Sequence, residues 1–257
     1  MTEVLVPSRF RGPASSGNGG WSAGALAAVT VGGHDHDHGH AQPWPAVRVV
    51  LHQPPPLDAE MAVAAEDGWT VATYDGAVVA RAQVVDAPLT EVPAVPADAA
   101  RTASEGYRGF ESHPFPSCFS CGPGREEGDG LRIFPGRVPD DELGRVAATW
   151  TPHPSVAEDW HEYREPTPEA SAPVTWAALD CVGGWSTDID ERPMVLGTIT
   201  LRLDALPRIG EEHVVVGAMR GAEGRKTFTA ATLYDAGGAV VATAEHVWIT
   251  VDPSAFE

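Results

Sequence analysis

Two segments of the chain consist almost wholly of small apolar residues and tryptophan, a pattern that predicts helices. They are GNGGWSAGALAAV (17–29) and PVTWAALDCVGGW (173–185). Their many Gly and Ala residues would let each helix backbone come close to a sheet, because these residues carry little or no side chain. A sheet could therefore curl around each helix.

Each predicted helix is followed by residues that indicate strands. The segments AVRVVLHQPPPLDAEMAVAA (46–65) and TITLRLDALPRIGEEHVVVGA (198–218) share the order strand, proline-containing turn, strand. Their many β-branched residues favour strands, and the second segment alternates with a period of two. Its apolar face consists of Ile199, Leu201 and Leu203. Alternation places Thr198 on the opposite face, away from the helix that the apolar face should cover.

A third pair of segments completes a repeated order. YDGAVVARAQVV (74–85) and YDAGGAVVATAEHV (234–247) share a turn followed by Gly-Ala-Val-Val-Ala. The same three elements therefore occur twice at similar spacing, which predicts an internal duplication. The predicted fold class is α+β: two antiparallel sheets, each wrapped on a long central helix, packed as a pseudo-dimer within one chain.

The boundaries of the two halves follow from composition. Residues 91–110 lie in a stretch rich in proline, alanine and small polar side chains, which is typical of a linker. We therefore expect an N-terminal half over 1–90 and a C-terminal half over 111–257.

Charge and composition argue against some classes of binding partner. Asp and Glu number 36 against 17 Lys and Arg, so the formal charge is −19. Phosphate backbones and anionic membranes repel such a protein, and we expect neither nucleic acid nor a membrane as a partner. The chain shows no secretory signal and no apolar run near the ~18 residues of a membrane span. Its three cysteines suit a reducing compartment, so we expect a cytoplasmic protein.

Several motifs resemble those of hotdog-fold thioesterases. SGNGGW (16–21), LHQPPPLD (51–58) and DGAVVARA (75–82) are similar to the first half of the acyl-CoA thioesterase II type. CFSCGPGREEGDGLRIFPG (118–136) resembles the start of the single-domain, phenylacetate-pathway type. The resemblance implies a tandem (double) hotdog fold and an enzyme that hydrolyses acyl-CoA or acyl-carrier thioesters to free acid and thiol, without a cofactor. It leaves homo-oligomerisation open.

The same resemblance implies a set of catalytic residues. In the acyl-CoA thioesterase II type, an aspartate on the C-terminal helix works with a threonine and a glutamine on later strands to hold the attacking water. Asp180 takes the aspartate position and Thr198 the threonine position, while His246 stands where the glutamine would be. Histidine can hydrogen-bond water, but its charge titrates near neutral pH, so this position departs from the family pattern.

The residues themselves suggest how such a site would work. An apolar helix should raise the pKa of Asp180 and make it a stronger base. Asn18 can cap the first helix, where Gly19 and Gly20 would offer backbone N–H groups to a developing oxyanion. Pro173 removes such a group from the second helix. We expect the start of the first helix to meet the middle of the second, which completes one site from both halves.

Other assignments remain open. Asp180 could face a wet interface, and His246 could be a core or surface residue. A non-catalytic acyl-CoA or lipid-binding protein and an enoyl-thioester hydratase are alternatives to a hydrolase.

Two segments contain residue types that bind metal ions, but we expect no metal site. Cys118 and Cys121 lie near His113, yet no second CxxC pair completes four zinc ligands, and Cys181 would have to leave its helix to join. The segment HDHDHGH (34–40) could bind divalent metal adventitiously.

Overall fold

The computed structural model describes residues 2–32, 44–157 and 168–252. Within these ranges the chain forms three helices and eleven strands, apart from short 3-10 turns. In chain order they are β1 (Thr2–Leu5), α1 (Gly19–Thr30), β2 (Ala46–Leu51), β3 (Glu60–Glu66), β4 (Trp69–Tyr74), β5 (Ala77–Val85), α2 (Ala97–Glu105), β6 (Gly136–Arg137), β7 (Val146–Trp150), α3 (Ala172–Trp185), β8 (Met194–Leu203), β9 (His213–Glu223), β10 (Lys226–Tyr234) and β11 (Val240–Thr250).

All eleven strands of the described residues belong to one antiparallel sheet, ordered β1-β3-β4-β5-β2-β8-β11-β10-β9-β7-β6. Outwards from the central β2–β8 pair, the order β2-β5-β4-β3-β1 on one side corresponds to β8-β11-β10-β9-β7 on the other. The predicted duplication requires this correspondence. The expectation of two separate sheets is wrong. β2 and β8 pair directly, for example Val49 with Ile199, because unpaired strand edges gain hydrogen bonds by joining.

Strands also precede the helices, which the repeated order of helix, strands and turn does not include. β1 comes before α1 and adds to the edge strand β3, while β6 and β7 come before α3 and add to β9. The turn that we predicted at Asp75 and Gly76 is present before β5. Asp75 and Gly76 both have positive φ, as a two-residue hairpin turn requires.

Helices α1 and α3 pack antiparallel and very closely. A Cβ at Gly20 would lie 2.6 Å from Asp180 Cβ, and a Cβ at Gly24 would lie 2.8 Å from Pro173 Cα and Trp176 Cβ. Moving forward along α1 thus means moving backward along α3. Only glycine permits this approach, because any side chain would push the helices apart.

The segment 91–110, which we predict to be a linker, has regular structure of its own. It contains α2, whose Ala100 packs with Val92 and Val95 against a buried cluster that includes Val214 and Val216. Val215, between them, belongs to the core that contains α1 and α3. Since side chains alternate across a strand, α2 covers the face of the sheet opposite the other two helices.

The helices of the described residues are short. They have 12, 9 and 14 residues, and none is both long and apolar enough to cross a membrane.

Replacing Gly24 by alanine tests the close packing of the helices. The added methyl would overlap Trp176 and the backbone at Pro173, so we expect the free energy of unfolding to fall by ~1–3 kcal/mol. Chemical denaturation measures this difference. Gly106→Ala is the matched control, because its Cβ would only make an ordinary contact, 3.5 Å from Ala103 O. Equal losses in both variants would contradict the packing argument.

Candidate functional site

A cavity of about 360 Å³ opens at the place where α1 begins and passes α3. Such a volume suits a small ligand. The loop over 113–121 and parts of β2, β8 and β11 complete its wall. Most of the lining is apolar, and its polar groups include Asn18, Asp180 and Cys118.

Asn18 organises the start of α1. Its Oδ1 accepts a hydrogen bond from Trp21 N (2.8 Å), which makes it the N-cap that the sequence predicts. Its Nδ2 donates to Ser120 Oγ (3.2 Å) and faces Cys118 Sγ (3.7 Å). Ser120 Oγ in turn donates to Ala177 O on α3 (2.8 Å). The cap therefore links α1 to α3 through the 113–121 loop.

Asp180 is buried, with 2% of its surface exposed, and lies against the start of α1. Its Oδ2 accepts from Gly20 N (2.8 Å), which brings the two halves together as we expected. Its Oδ1 is buried without a hydrogen-bond partner among the described residues. Burial raises the pKa of Asp180 to about 7, against the lowering effect of Gly20 N–H; Cys118 raises it further and Asn18 lowers it. The predicted direction of this shift is confirmed.

The two glycines of the predicted oxyanion site have different roles. Gly20 N–H donates to the Asp180 carboxylate and Gly20 does not line the cavity, so this amide is not free to bind an oxyanion as we expected. Gly19 lines the cavity, and its N–H finds no acceptor among residues 2–32, 44–157 and 168–252. Of the two amides, only that of Gly19 is placed for a developing negative charge.

Thr198 does not line the cavity. β8 carries an irregularity at Gly197, so Leu196 and Ile199 both face the interior. Thr198 pairs with Val50 and Val247 on neighbouring strands, and all three are only partly buried. The alternation argument is thus correct, and the structure does not bring Thr198 to Asp180.

His246 faces the helices but does not line the cavity either. Its Nδ1 hydrogen-bonds Thr229 Oγ1 (3.1 Å), and a Cβ at Gly183 would lie 2.7 Å from that ring nitrogen. Burial lowers its pKa to about 4, which the backbone groups of Thr229 and Leu179 oppose. A neutral ring packed beneath α3 acts as a core histidine.

The three cysteines converge on the cavity wall. Cys118 Sγ lies 3.5 Å from Cys181 Sγ, and Cys121 Sγ lies 3.4 Å from His113 Nε2. Cys181 reaches this cluster from within α3, so the expectation that it would have to leave its helix is wrong. Spacing along the chain could not reveal this contact, because it arises where the loop crosses α3.

The sequence also did not reveal the contact of Arg81 with a residue of the cavity wall. Arg81 Nε donates to Nε2 of His52, a cavity residue, at 3.1 Å, and its guanidinium lies over the ring of Trp69, 5.9 Å from the ring centre. The alternating pattern of 74–85 places Arg81 on a strand but not at a cavity. The segment 34–40, by contrast, lies outside the described residues.

Comparison with known structures gives the fold. A hotdog-fold protein of Alicyclobacillus acidocaldarius matches with a TM-score of 0.59 and 14% identity over 98% of this chain and 93% of its own. An acyl-CoA thioesterase II (TesB2) of Mycobacterium marinum matches with a TM-score of 0.54 and 15% identity, covering 99% and 94%. The tesB protein of Mycobacterium avium subspecies paratuberculosis gives 0.54 and 11%, covering 96% and 91%. No family model and no curated protein matches the chain. The chain therefore has the hotdog fold.

Replacing Asn18 by alanine tests whether this cap holds the site together. The change removes the acceptor for Trp21 N–H and the donor to Ser120, so we expect the free energy of unfolding to fall by about 2 kcal/mol. Urea denaturation followed by tryptophan fluorescence gives the value. Ser171→Ala is the control, because Ser171 caps α3 without a side-chain hydrogen bond and should change stability by less than about 0.5 kcal/mol. A similar loss in the control would show that the cap hydrogen bonds are not the cause.

Proposed function

We propose that the protein is a tandem hotdog enzyme that hydrolyses acyl-CoA or acyl-carrier thioesters in the cavity described above, with Asp180 as general base. One observation carries the proposal: a buried carboxylate lines the cavity, one of its oxygens accepts from Gly20 N–H, and the other has no partner in the part of the chain that the structure describes. An unpaired buried carboxylate oxygen is costly and therefore calls for a ligand. A water molecule is the simplest ligand for Oδ1.

The chemistry follows from that contact. Asp180 removes a proton from the bound water as the water oxygen attacks the thioester carbonyl carbon. The tetrahedral oxyanion then collapses, the C–S bond breaks, and the thiolate leaves with the electron pair. The proton taken by Asp180 is available to the departing sulfur, which gives free acid and thiol. Little help is needed for this step, because a thiol of pKa ~8.5 is a good leaving group.

The N-terminus of α1 supports the oxyanion in this proposal. Gly19 N–H lies at the first helical residue and lines the cavity. Free N–H groups at a helix start favour negative charge. We give Thr198 and His246 no contact with the water, because neither lines the cavity.

A coenzyme A substrate also needs a cation near the cavity rim. Arg125 is tied to Asp129 and two carbonyl oxygens, and Arg202 to Asp204. Arg81 is not in an ion pair among the described residues, and it hydrogen-bonds His52, which lines the cavity. A guanidinium suits phosphate well, so we assign Arg81 to the nucleotide phosphates.

One observation favours a second function, acyl-CoA binding without turnover. Because Thr198 and His246 stay away from the cavity, the water would lack two of the partners that the family resemblance implies. Binding of acyl-CoA without release of thiol would establish this alternative.

Replacing Asp180 by asparagine tests the proposed base. The amide keeps the shape of the side chain and can still accept from Gly20 N–H, but it cannot take a proton. We expect kcat to fall by roughly 10²–10⁴-fold, as for the loss of a general base. Free thiol released from acyl-CoAs of several chain lengths measures the rate.

The control is Asp188→Asn, an exposed carboxylate just beyond α3 that pairs loosely with Arg192. It should leave the rate unchanged. If Asp180→Asn hydrolyses thioesters within a few-fold of the parent rate, Asp180 is not the base.

Replacing Arg81 by alanine tests the assigned phosphate contact. We expect KM for an acyl-CoA to rise roughly tenfold, the effect of losing one charge-assisted hydrogen bond of ~1.5 kcal/mol, with little change for an acyl-pantetheine that lacks the nucleotide. Steady-state kinetics with both substrates gives the comparison. Arg225→Ala is the control, since the Arg225 guanidinium donates to the Thr250 carbonyl and to no other described residue. Equal changes for both substrates would count against the contact.

A further inference from the structure

Three sulfur atoms come together from two distant parts of the chain. Cys118 and Cys121 lie on the 113–121 loop and Cys181 lies on α3, and their Sγ atoms are all within 4.8 Å of one another. The shortest separation is 3.5 Å, between Cys118 and Cys181. Thiolates bound to one zinc ion at about 2.3 Å with tetrahedral angles are about 3.8 Å apart. The observed spacing requires only small shifts to reach that geometry.

The loop around the first two cysteines is a tight knuckle. Gly122 N donates to Cys118 O at 2.9 Å, and Cys118 N donates to Phe115 O at 2.9 Å. A Cβ at Gly122 would lie 2.6 Å from Cys118 N and Cys118 O, so this turn requires glycine. Such a turn points two cysteines of a CxxC pair toward one position, which is the arrangement that zinc knuckles use.

His113 supports the cluster as a hydrogen-bond donor. Its Nδ1 accepts from Phe115 N (2.9 Å), so the proton of the neutral ring is on Nε2. Nε2 therefore donates to Cys121 Sγ at 3.4 Å. Donation to a metal-bound thiolate is typical of an outer-shell partner. Asn18 Nδ2, 3.7 Å from Cys118 Sγ, has the same relation to a second sulfur.

We propose that Cys118, Cys121 and Cys181 bind one zinc ion at the wall of the cavity, with the fourth coordination position facing the cavity. All three residues line the cavity, so a water molecule or a ligand thiol could reach that position. Three soft sulfur donors select zinc over magnesium or calcium, which prefer oxygen. The ion would fasten the 113–121 loop to α3. The site is independent of the proposed hydrolysis and could exist in a protein that only binds acyl groups.

Metal titration of the reduced, full-length protein tests the proposal. After removal of bound metal with a chelator, we expect one Zn²⁺ per chain, and one Co²⁺ that gives a sulfur-to-cobalt charge-transfer band and the intense visible bands of a tetrahedral ion. Zinc should displace cobalt and raise the unfolding temperature, because it binds only the folded arrangement.

Substitutions distinguish the proposed zinc ligands from the side chains that donate hydrogen bonds to them. Cys181→Ser should weaken zinc binding by more than the ~10–100-fold expected for His113→Ala, which should keep the one-to-one stoichiometry. His153→Ala is the matched control. His153 Nδ1 accepts from the backbone N–H two residues later, at Ser155, as His113 Nδ1 does from Phe115, but His153 has no thiol nearby. It should leave zinc affinity unchanged.

Three results would overturn the assignment. The first is zinc binding that Cys181→Ser does not affect. The second is a reduced protein that retains a different metal but no zinc. The third is a Cys118–Cys181 disulfide in protein isolated without reductant, if that protein also fails to bind zinc after reduction. The titration of the parent protein is decisive even if a cysteine variant does not fold.

Discussion

The site depends on one hydrogen bond, between Gly20 N–H at the start of α1 and Asp180 Oδ2 in the middle of α3. This bond forms only because the two helices approach without intervening side chains at Gly20 and Gly24. The contact satisfies one oxygen of a buried carboxylate, and the other oxygen has no partner within residues 2–32, 44–157 and 168–252. Burial raises the pKa of Asp180 to about 7, although Gly20 N–H works in the opposite direction.

Much of the fold could be predicted from local patterns. Small-residue segments gave both central helices, and β-branched segments with Asp-Gly turns gave most of the long strands. Two features escaped because they depend on distant contacts. The single sheet results from the pairing of β2 with β8, and the order of α2 results from its packing on Val214 and Val216. Neither contact produces a periodic pattern in the sequence. The sequence therefore does not distinguish a paired strand from a free sheet edge, or a packed helix from a linker.

The candidate site could be predicted only in part, for the same reason. Asp180 and Asn18 were identifiable because a carboxylate in an apolar helix and a cap before two glycines are local anomalies. Alternation also correctly placed Thr198 away from the helices. His246 could not be placed without coordinates, because both faces of β11 carry apolar residues. Cys181 was excluded from the cysteine cluster because it lies on a predicted helix, although the loop lies against that helix and brings Cys118 Sγ within 3.5 Å of Cys181 Sγ.

The two halves repeat the same architecture but do not build the same site. With the helices aligned on Trp21 and Trp176, Ala25 takes the position of Asp180. The start of α3 also differs, since Ser171 makes no side-chain cap and Pro173 lacks an N–H. One helix therefore supplies the donors and the other supplies the acid. Asn18 joins these contributions by capping α1 while its amide reaches Ser120 and Cys118, so α1 cannot shift without disturbing the groups that face Asp180.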